Sequence, residues 1–442
     1  MTARDFPLPL PTARSAWIAA AAALPVAAGW FVPELGWIGL LLLGVVLVAT
    51  LADWAALPRG ADLDAERVER PVLSQGDEEV LAVEVRSRRS ATLRAVDGLA
   101  EGLDRAGDPV AAQIVAGERA RFETRVMPMH RGTFRLAAVH LRASSRWGLA
   151  EREVRLDLPA EVRVYPGIRA VRQAARWLRR GRQEERGLRR SRLSGEGTSF
   201  ESLHEHVRGE DPRRIDWKAS ARHGKLISRN YEVERNQNIM LMVDCGRWMT
   251  GDAGGMTRLD RVLEACVLLA HVAASRDDRV GLLAFADEVL AYVPPTKGRA
   301  AVERILLATS EIQPRLVESD YVGAFAALAA RHRKRSLVVL FTDVMSKDAS
   351  RALIEECARS ARRHLPLAMT LRDTGLDALA AAAPANAAAA YRQAAAEELL
   401  LEREQALAVM RRAGIQVVDV APAALGPATV ERYVEIKARM LV

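Results

Sequence analysis

The spacing of apolar positions changes character several times along this 442-residue chain. Ser15 to Val32 and Leu35 to Ala52 are two continuous apolar runs separated by Pro33 and Glu34. At roughly 1.5 Å of rise per helical residue, each is about long enough to span a bilayer core. A cleaved leader would explain the first run alone, but a second run following at once predicts a transmembrane helical hairpin within residues 1–60. Arg4 and Arg14 precede the hairpin, Arg59, Arg67 and Arg70 follow it, and Glu34 sits in the turn. By the positive-inside rule, both ends and everything downstream then face the cytoplasm in a two-pass topology. Trp17, Trp30, Trp37 and Trp54 stand near the helix ends, where indoles favour the interface.

From about Glu66 to Tyr165 the pattern becomes short alternating segments: residues 80–85, 120–126, 134–141 and 161–165, broken by Gly76-Asp77, Gly107-Asp108 and Arg131-Gly132. Period-two alternation between turns predicts an antiparallel β-sandwich over 61–166. His130 and His140 are isolated there and gather no partner set. From Gln237 onward, apolar strands at 239–243, 280–285, 336–341, 365–371 and 415–420 alternate with helical segments at 258–274, 300–309 and 321–332, and Pro427 to Leu441 reads as a closing helix. Pro427 is expected at its first position. The Ala-rich tract Ala378 to Ala396 reads as a loop and then a long helix, with the break at Pro384. This is a doubly wound α/β domain over 237–442, its sheet covered on both faces. Such domains place their sites in the crevice beyond the strand ends, and Ile239 to Val243 delivers Asp244 to that crevice.

Composition adds a charge question. The formal net charge is +8, and much of it traces to Ile168 to Arg192, with ten arginines against Glu184 and Glu185. Val171, Ala174, Ala175 and Leu178 can share one helical face, which predicts an amphipathic helix at the start of a 167–236 linker segment. Its arginines read either as a solvated face or as a contact with anionic lipid. Nucleic-acid binding is disfavoured, because Trp177 alone interleaves the run. Cys245, Cys266 and Cys357 have no paired spacing, so neither a disulfide framework nor a zinc site is indicated.

The rest of the linker carries the densest chemistry. Phe200 to Glu234 is polar, yet places Phe200, Trp217 and Tyr231 among closely spaced charges. Arg208-Gly209-Glu210-Asp211, then Arg214-Ile215-Asp216-Trp217-Lys218-Ala219 and Arg222, followed by a strand into Asp244, resembles the bacterial family called domain of unknown function 58. The resemblance implies a membrane hairpin, a β-rich domain, this signature and a von Willebrand factor A-like domain, in the bacterial inner membrane. It also implies companionship with MoxR-type AAA+ ATPases acting on membrane or envelope clients. The residues themselves suggest that Arg208, Asp211, Arg214, Asp216, Lys218 and Arg222 form a charge network anchored by Ile215 and Trp217, structural or partner-binding.

In the von Willebrand factor A-like arrangement a magnesium ion sits on an Asp-x-Ser-x-Ser motif, a Thr and a second Asp, all hard oxygen ligands. The matching positions are Asp244-Cys245-Gly246-Arg247-Trp248, Ser319 and Asp343. Both motif hydroxyls are lost, since Gly246 has no side chain and the Trp248 indole cannot coordinate a cation. Asp244 and Asp343 therefore either hold a metal weakly with Ser319, or cap turns or pair with an arginine, either Arg247 or one of the signature segment. A catalytic reading would use Asp216 and Asp211 with His204 and His206, but His-Glu-His lacks the spacing that puts two ligands on one helix face. Phosphate-binding glycine loops and a nucleophile elbow are absent from the sequence. The expectation is a membrane-anchored interaction protein, not an enzyme and without a required cofactor; the competing readings are a metal-dependent ligand binder and, more weakly, a hydrolase.

Overall fold

Pro33, which lacks the N–H that a first helical turn leaves unused, opens the longer of two N-terminal helices, α2 (Pro33–Ala56). Helix α1 (Ala13–Ala28) precedes it, capped by the Thr12 hydroxyl on Ser15 N. The computed structural model describes residues 3–5, 10–68, 72–167, 199–206, 215–232, 237–345 and 350–439. The chain divides into two units, Met1–Tyr165 and Pro166–Val442. Helices α1 and α2 pack closely: a Cβ at Gly29 would meet the Gly36 backbone, and one at Gly39 would run into Val26. By length and composition α2 can cross a membrane, whereas α1 is 16 residues long and stops at Ala28, short of the end of the apolar run at Val32.

The first unit continues as two sheets. Strands β1 (Ala3–Asp5), β2 (Leu10–Pro11), β3 (Leu63–Arg67), β4 (Val72–Ser74), β5 (Glu79–Ser87) and β6 (Ala91–Asp97) are followed by β7 (Leu103–Arg105), β8 (Ala111–Ile114), β9 (Arg119–Pro128), β10 (Gly132–Ser144) and β11 (Ala150–Tyr165). One sheet runs β1-β11-β10-β6-β8, with β2 and β4 also on β11, and the other runs β3-β5-β9-β7. The ladders are antiparallel except β4 on β11. The expected strands lie inside β5, β9, β10 and β11, and their alternation has the predicted cause. Val83, Val85 and Phe122 from one sheet meet Leu93, Val139, Leu141, Val154 and Leu156 from the other in one dry core, while the residues between them stay wet.

In the second unit, the expected helix within Ile168 to Arg192 lies outside the described residues. Strands β12 (Ser199–Glu205) and β13 (Ile227–Glu232) form a small antiparallel pair, with α3 (Trp217–His223) between them in sequence. The α/β layer comprises β14 (Asn238–Asp244), α4 (Arg258–Ala274), β15 (Arg279–Phe285), β16 (Val289–Lys297), α5 (Gly298–Glu311), α6 (Tyr321–Arg331) and β17 (Leu337–Thr342), then α7 (Arg351–Ser360), β18 (Leu365–Leu371), α8 (Thr374–Ala381), α9 (Ala387–Arg412), β19 (Gln416–Val420) and α10 (Leu425–Ala438). The sheet order is β16-β15-β14-β17-β18-β19, parallel apart from the β16 edge. Alternate residues of β14 serve opposite faces: Ile239, Leu241 and Val243 pack with α4 and α10, Met240 and Met242 with α6, α7 and α9. That double burial is why the strands read as unbroken apolar runs. Residues 378–381, expected as loop, instead end α8; Pro384 lies in the break that follows, and Asn386 caps the long α9 through Ala389 N at 2.8 Å. The last helix starts at Leu425, so Pro427 sits inside its first turn, where no hydrogen bond is lost.

Candidate functional site

The strand order reverses direction beside β14, whose sequence neighbour β15 lies on one side and the later β17 on the other. A crevice opens beyond their carboxyl ends. Asp244 ends β14 there, and Asp343 follows β17 directly; they are 2% and 4% exposed. Burying two carboxylates so close together demands compensation, and each receives a different kind.

Asp244 is saturated by neutral donors. Gly246 N donates at 2.9 Å, Tyr321 Oη at 2.7 Å and Thr342 Oγ1 at 2.8 Å, and the Ser319 hydroxyl donates as well. Burial and the Asp244 carboxylate push the Tyr321 phenol well up in pKa, so it stays a protonated donor. Gly246 follows from this geometry, because a Cβ there would overlap the Ser319 hydroxyl.

Asp343 is neutralised by cations from the chain itself. Arg258, the first residue of α4, pairs with one carboxylate oxygen and also reaches Asp373, which caps α8. Arg403, deep in α9, bonds the other oxygen at 2.5 Å and continues to Leu371 O and Asp419, both at 2.8 Å. Burial opposes the Arg403 charge, but Asp343 and Asp419 outweigh it and raise its pKa. The result is a line of three carboxylates and two guanidinium groups, buried at Asp343 and open to solvent at Asp373. Arg247 plays no part in it: this arginine pairs with Glu318 at 3.4 Å and lies over the Trp248 ring. The pairing expected for Arg247 thus belongs to Arg258 and Arg403.

Asp244, Ser319 and Asp343 do come together, yet magnesium does not fit this set. Every oxygen of Asp343 already faces a guanidinium, Asp244 holds hydroxyl donors, and no group of three metal-ligating His, Cys, Asp or Glu side chains occurs among the described residues. The cavity that Ser319, Tyr321, Asp343 and Trp248 line measures only about 20 Å³, room for about one water. Asp252, in the loop beyond, caps its own turn through Gly254 N and Gly255 N.

Arg258 and Arg403 were missed in the sequence because they lie 85 and 60 residues from Asp343. Both left a trace. An arginine opening a helix stands against the macrodipole, and Arg403 falls on the buried stripe Ala396, Ala406, Leu407, Met410, where a cation needs a partner.

The signature residues resolve differently. Asp216 is the N-cap of α3, accepting from Lys218 N at 3.0 Å and Ala219 N at 3.1 Å, and Gly224 closes the helix at φ +67°. Ser220 latches the helix to β13, donating to Asp216 O at 2.8 Å and accepting from Ile227 N at 2.9 Å. So short a latch leaves no space for an indole between helix and strand. Trp217 accordingly points outward, 69% exposed, and is not the apolar anchor the sequence suggested; Ile215 is half-buried. Lys218 and Arg222 are exposed beside it, with no ion pair among the described residues. Arg208, Asp211, Arg214 and the His204 side chain lie outside the described residues. His206 Nδ1 bonds Ser228 Oγ at 2.7 Å.

Residues 202–383, from within β12 to just past the end of α8, match the family described as Protein of unknown function DUF58. This segment is a DUF58 domain. Uncharacterized proteins of Mycobacterium bovis and Mycobacterium tuberculosis are 25% identical over 139 residues, which is 31% of this chain and 44% of theirs. The chain therefore spans less than half the length of these relatives. Among solved structures, the conserved hypothetical protein BatB of Bacteroides thetaiotaomicron aligns at 12% identity over 46% of this chain and 100% of its own, with a TM-score of 0.31. An aerotolerance-related membrane protein of Bacteroides fragilis aligns at 14% over 38% and 100%, with a TM-score of 0.24. At those scores neither likeness bears on what the DUF58 domain does.

Proposed function

We propose that the chain is a two-pass protein of the bacterial inner membrane whose cytoplasmic, von Willebrand factor A-like domain is an interaction module, without catalytic activity of its own. The observation that carries this reading is the internal satisfaction of Asp244 and Asp343: neither carboxylate has an oxygen left for substrate or metal. What the DUF58 domain offers instead is a surface, the solvent face of α3 with Trp217, Lys218 and Arg222. Exposed tryptophan and arginine are the residue types that dominate binding energy at protein interfaces. The apolar α2, packed tightly on α1 with arginines on both outer flanks, supports the membrane hairpin. The family resemblance supplies the partner, a MoxR-type AAA+ ATPase.

Binding between the full chain in lipid nanodiscs and a MoxR-type ATPase from the same bacterium tests this. Trp217→Ala with Arg222→Glu should weaken binding at least about tenfold, the scale of an interface hot spot, with unchanged circular dichroism. Equal binding by the variant would sink the role of α3. A metal-dependent binder is favoured only by the convergence of Asp244 and Ser319, and it requires Arg258 and Arg403 to leave Asp343.

A further inference from the structure

We propose that the loop between β10 and β11, Ser145 to Leu149, is a second membrane contact of this protein, a headgroup-level belt in which Trp147 and Arg146 meet an anionic lipid surface. The inference rests on the reading of α2 as membrane-spanning and adds to it a soluble element that neither the hydrophobic runs nor the family resemblance singles out.

No linker separates the helices from the sheets. The end of α2 is built into the core of the first unit: Leu57 is 1% exposed among the core residues, and Trp54 packs against the same cluster. Asp53, 3% exposed, spends its carboxylate on Leu149 N at 3.0 Å and Ala150 N at 3.2 Å. Arg152 donates to Trp54 O at 2.9 Å with its guanidinium 4.2 Å from the indole centroid, and Arg89 donates to Ala55 O at 3.1 Å. The start of α1 is tied to the same loop. Thr12 Oγ1 donates to Gly148 O at 2.6 Å, Arg14 Nη1 donates to Trp147 O at 3.0 Å, and β2 pairs with Ala150 and Glu151.

The loop is thus level with the ends of both helices, its backbone held there by the side chains of Thr12, Arg14 and Asp53. If α2 fills the hydrocarbon layer, the loop falls within the headgroup zone, roughly 5–8 Å deep on each side. Its chemistry suits that depth. Trp147 is 61% exposed and Trp17, one turn into α1, 77%; indoles collect at this level. Arg14, Arg59 and Arg146 are exposed around them, and Arg146 has no ionic partner among the described residues. Arg89 pairs with Asp62 at 3.2 Å, which leaves the carboxylates of Asp53 and Asp5, both on backbone N–H groups, against Arg14, Arg59, Arg146 and Arg152. The excess charge near the bilayer is therefore positive, and each such arginine strengthens attraction to anionic lipid by about fivefold.

The test uses the full chain in nanodiscs with a nitroxide on one introduced cysteine, since Cys245, Cys266 and Cys357 are buried. Collision with oxygen and with a nickel chelate reads the depth of Trp147→Cys and, keeping the indole, of Arg146→Cys. Leu41→Cys, in the middle of α2, reports whether that helix lies in hydrocarbon. Met129→Cys, at the far end of β10 and roughly 40 Å away at the strand's rise per residue, reports water. We expect position 41 in hydrocarbon, 146 and 147 at the headgroups, and 129 in water. The label at 147 should sit deeper when phosphatidylglycerol is mixed into phosphatidylcholine, and Arg146→Glu should remove that difference. Position 41 in hydrocarbon with 146 and 147 as water-accessible as 129 overturns the belt alone; position 41 in water overturns the membrane reading and the belt with it.

Discussion

Arg403→Met removes one of the two cations on Asp343 while keeping an unbranched apolar stem in α9. The change takes away the bonds to Asp343 at 2.5 Å and to Leu371 O and Asp419 at 2.8 Å, together with that to Val344 O. The side chains of Arg403 and Asp343 are 8% and 1% exposed, so water cannot replace what is lost. Breaking a buried pair by deleting one partner costs about 3–5 kcal/mol, chiefly from the charge left behind. At 1.4 kcal/mol per factor of ten, amide protection in β17 and β18 should fall roughly a hundredfold to several thousandfold. Hydrogen exchange by mass spectrometry on the full-length protein in detergent, following peptides that cover Leu337–Thr342 and Leu365–Leu371, reads this without assuming that the whole chain unfolds in one step. A loss of protection below tenfold would refute the claim that the two guanidinium groups hold the crevice together.

Three other outcomes follow from the same geometry. Gly246→Ala should cost about 1–3 kcal/mol by overpacking against the Ser319 hydroxyl, and the double variant with Ser319→Ala should cost less than the two single changes added; strict additivity in a double-mutant cycle would disprove that contact. His332 and His364 stack with ring centroids 6.3 Å apart near Lys334 and Arg363, and burial lowers both pKa values. The unfolded chain therefore binds protons first, so this contribution to stability is complete above about pH 6.5 and is lost as pH falls toward the lowered folded values. Denaturant midpoints should drop between about pH 7.5 and about pH 5.5, and His364→Leu should flatten the slope; an unchanged slope would remove the pair from the account. Trp217→Ala alone should leave stability within about 0.5 kcal/mol, as expected for an exposed side chain, and a larger loss would mean that the indole is part of the packing.

Strands β14, β15, β17 and β18 were legible because both of their faces are buried, and α4, α5 and α6 because each carries an apolar stripe, patterns that local sequence records directly. The carboxylates of the crevice were legible too, since a strand that ends in Asp244 announces its own position. Their partners were not. Whether Asp343 meets a metal or an arginine depends on side chains arriving from α4 and α9, and nothing local to Phe341-Thr342-Asp343 distinguishes the two. Trp217 shows the opposite error, in which residue type suggested an anchor while Ser220 three residues on set the helix too close to its strand for an indole. The Trp147 belt was invisible for a third reason: its level is set by hydrogen bonds across more than 130 residues of sequence, from Thr12 to Gly148 and Arg14 to Trp147.

The internal occupation of the strand-end crevice is most directly tested by thermal unfolding of the full-length protein with millimolar magnesium or with EDTA, because a ligand that binds only the folded state must raise its stability. With Asp343 held by Arg258 and Arg403 and Asp244 by hydroxyl donors, the two curves should coincide. A magnesium-dependent rise that disappears in Asp244→Ala would contradict the account and make the crevice a metal site.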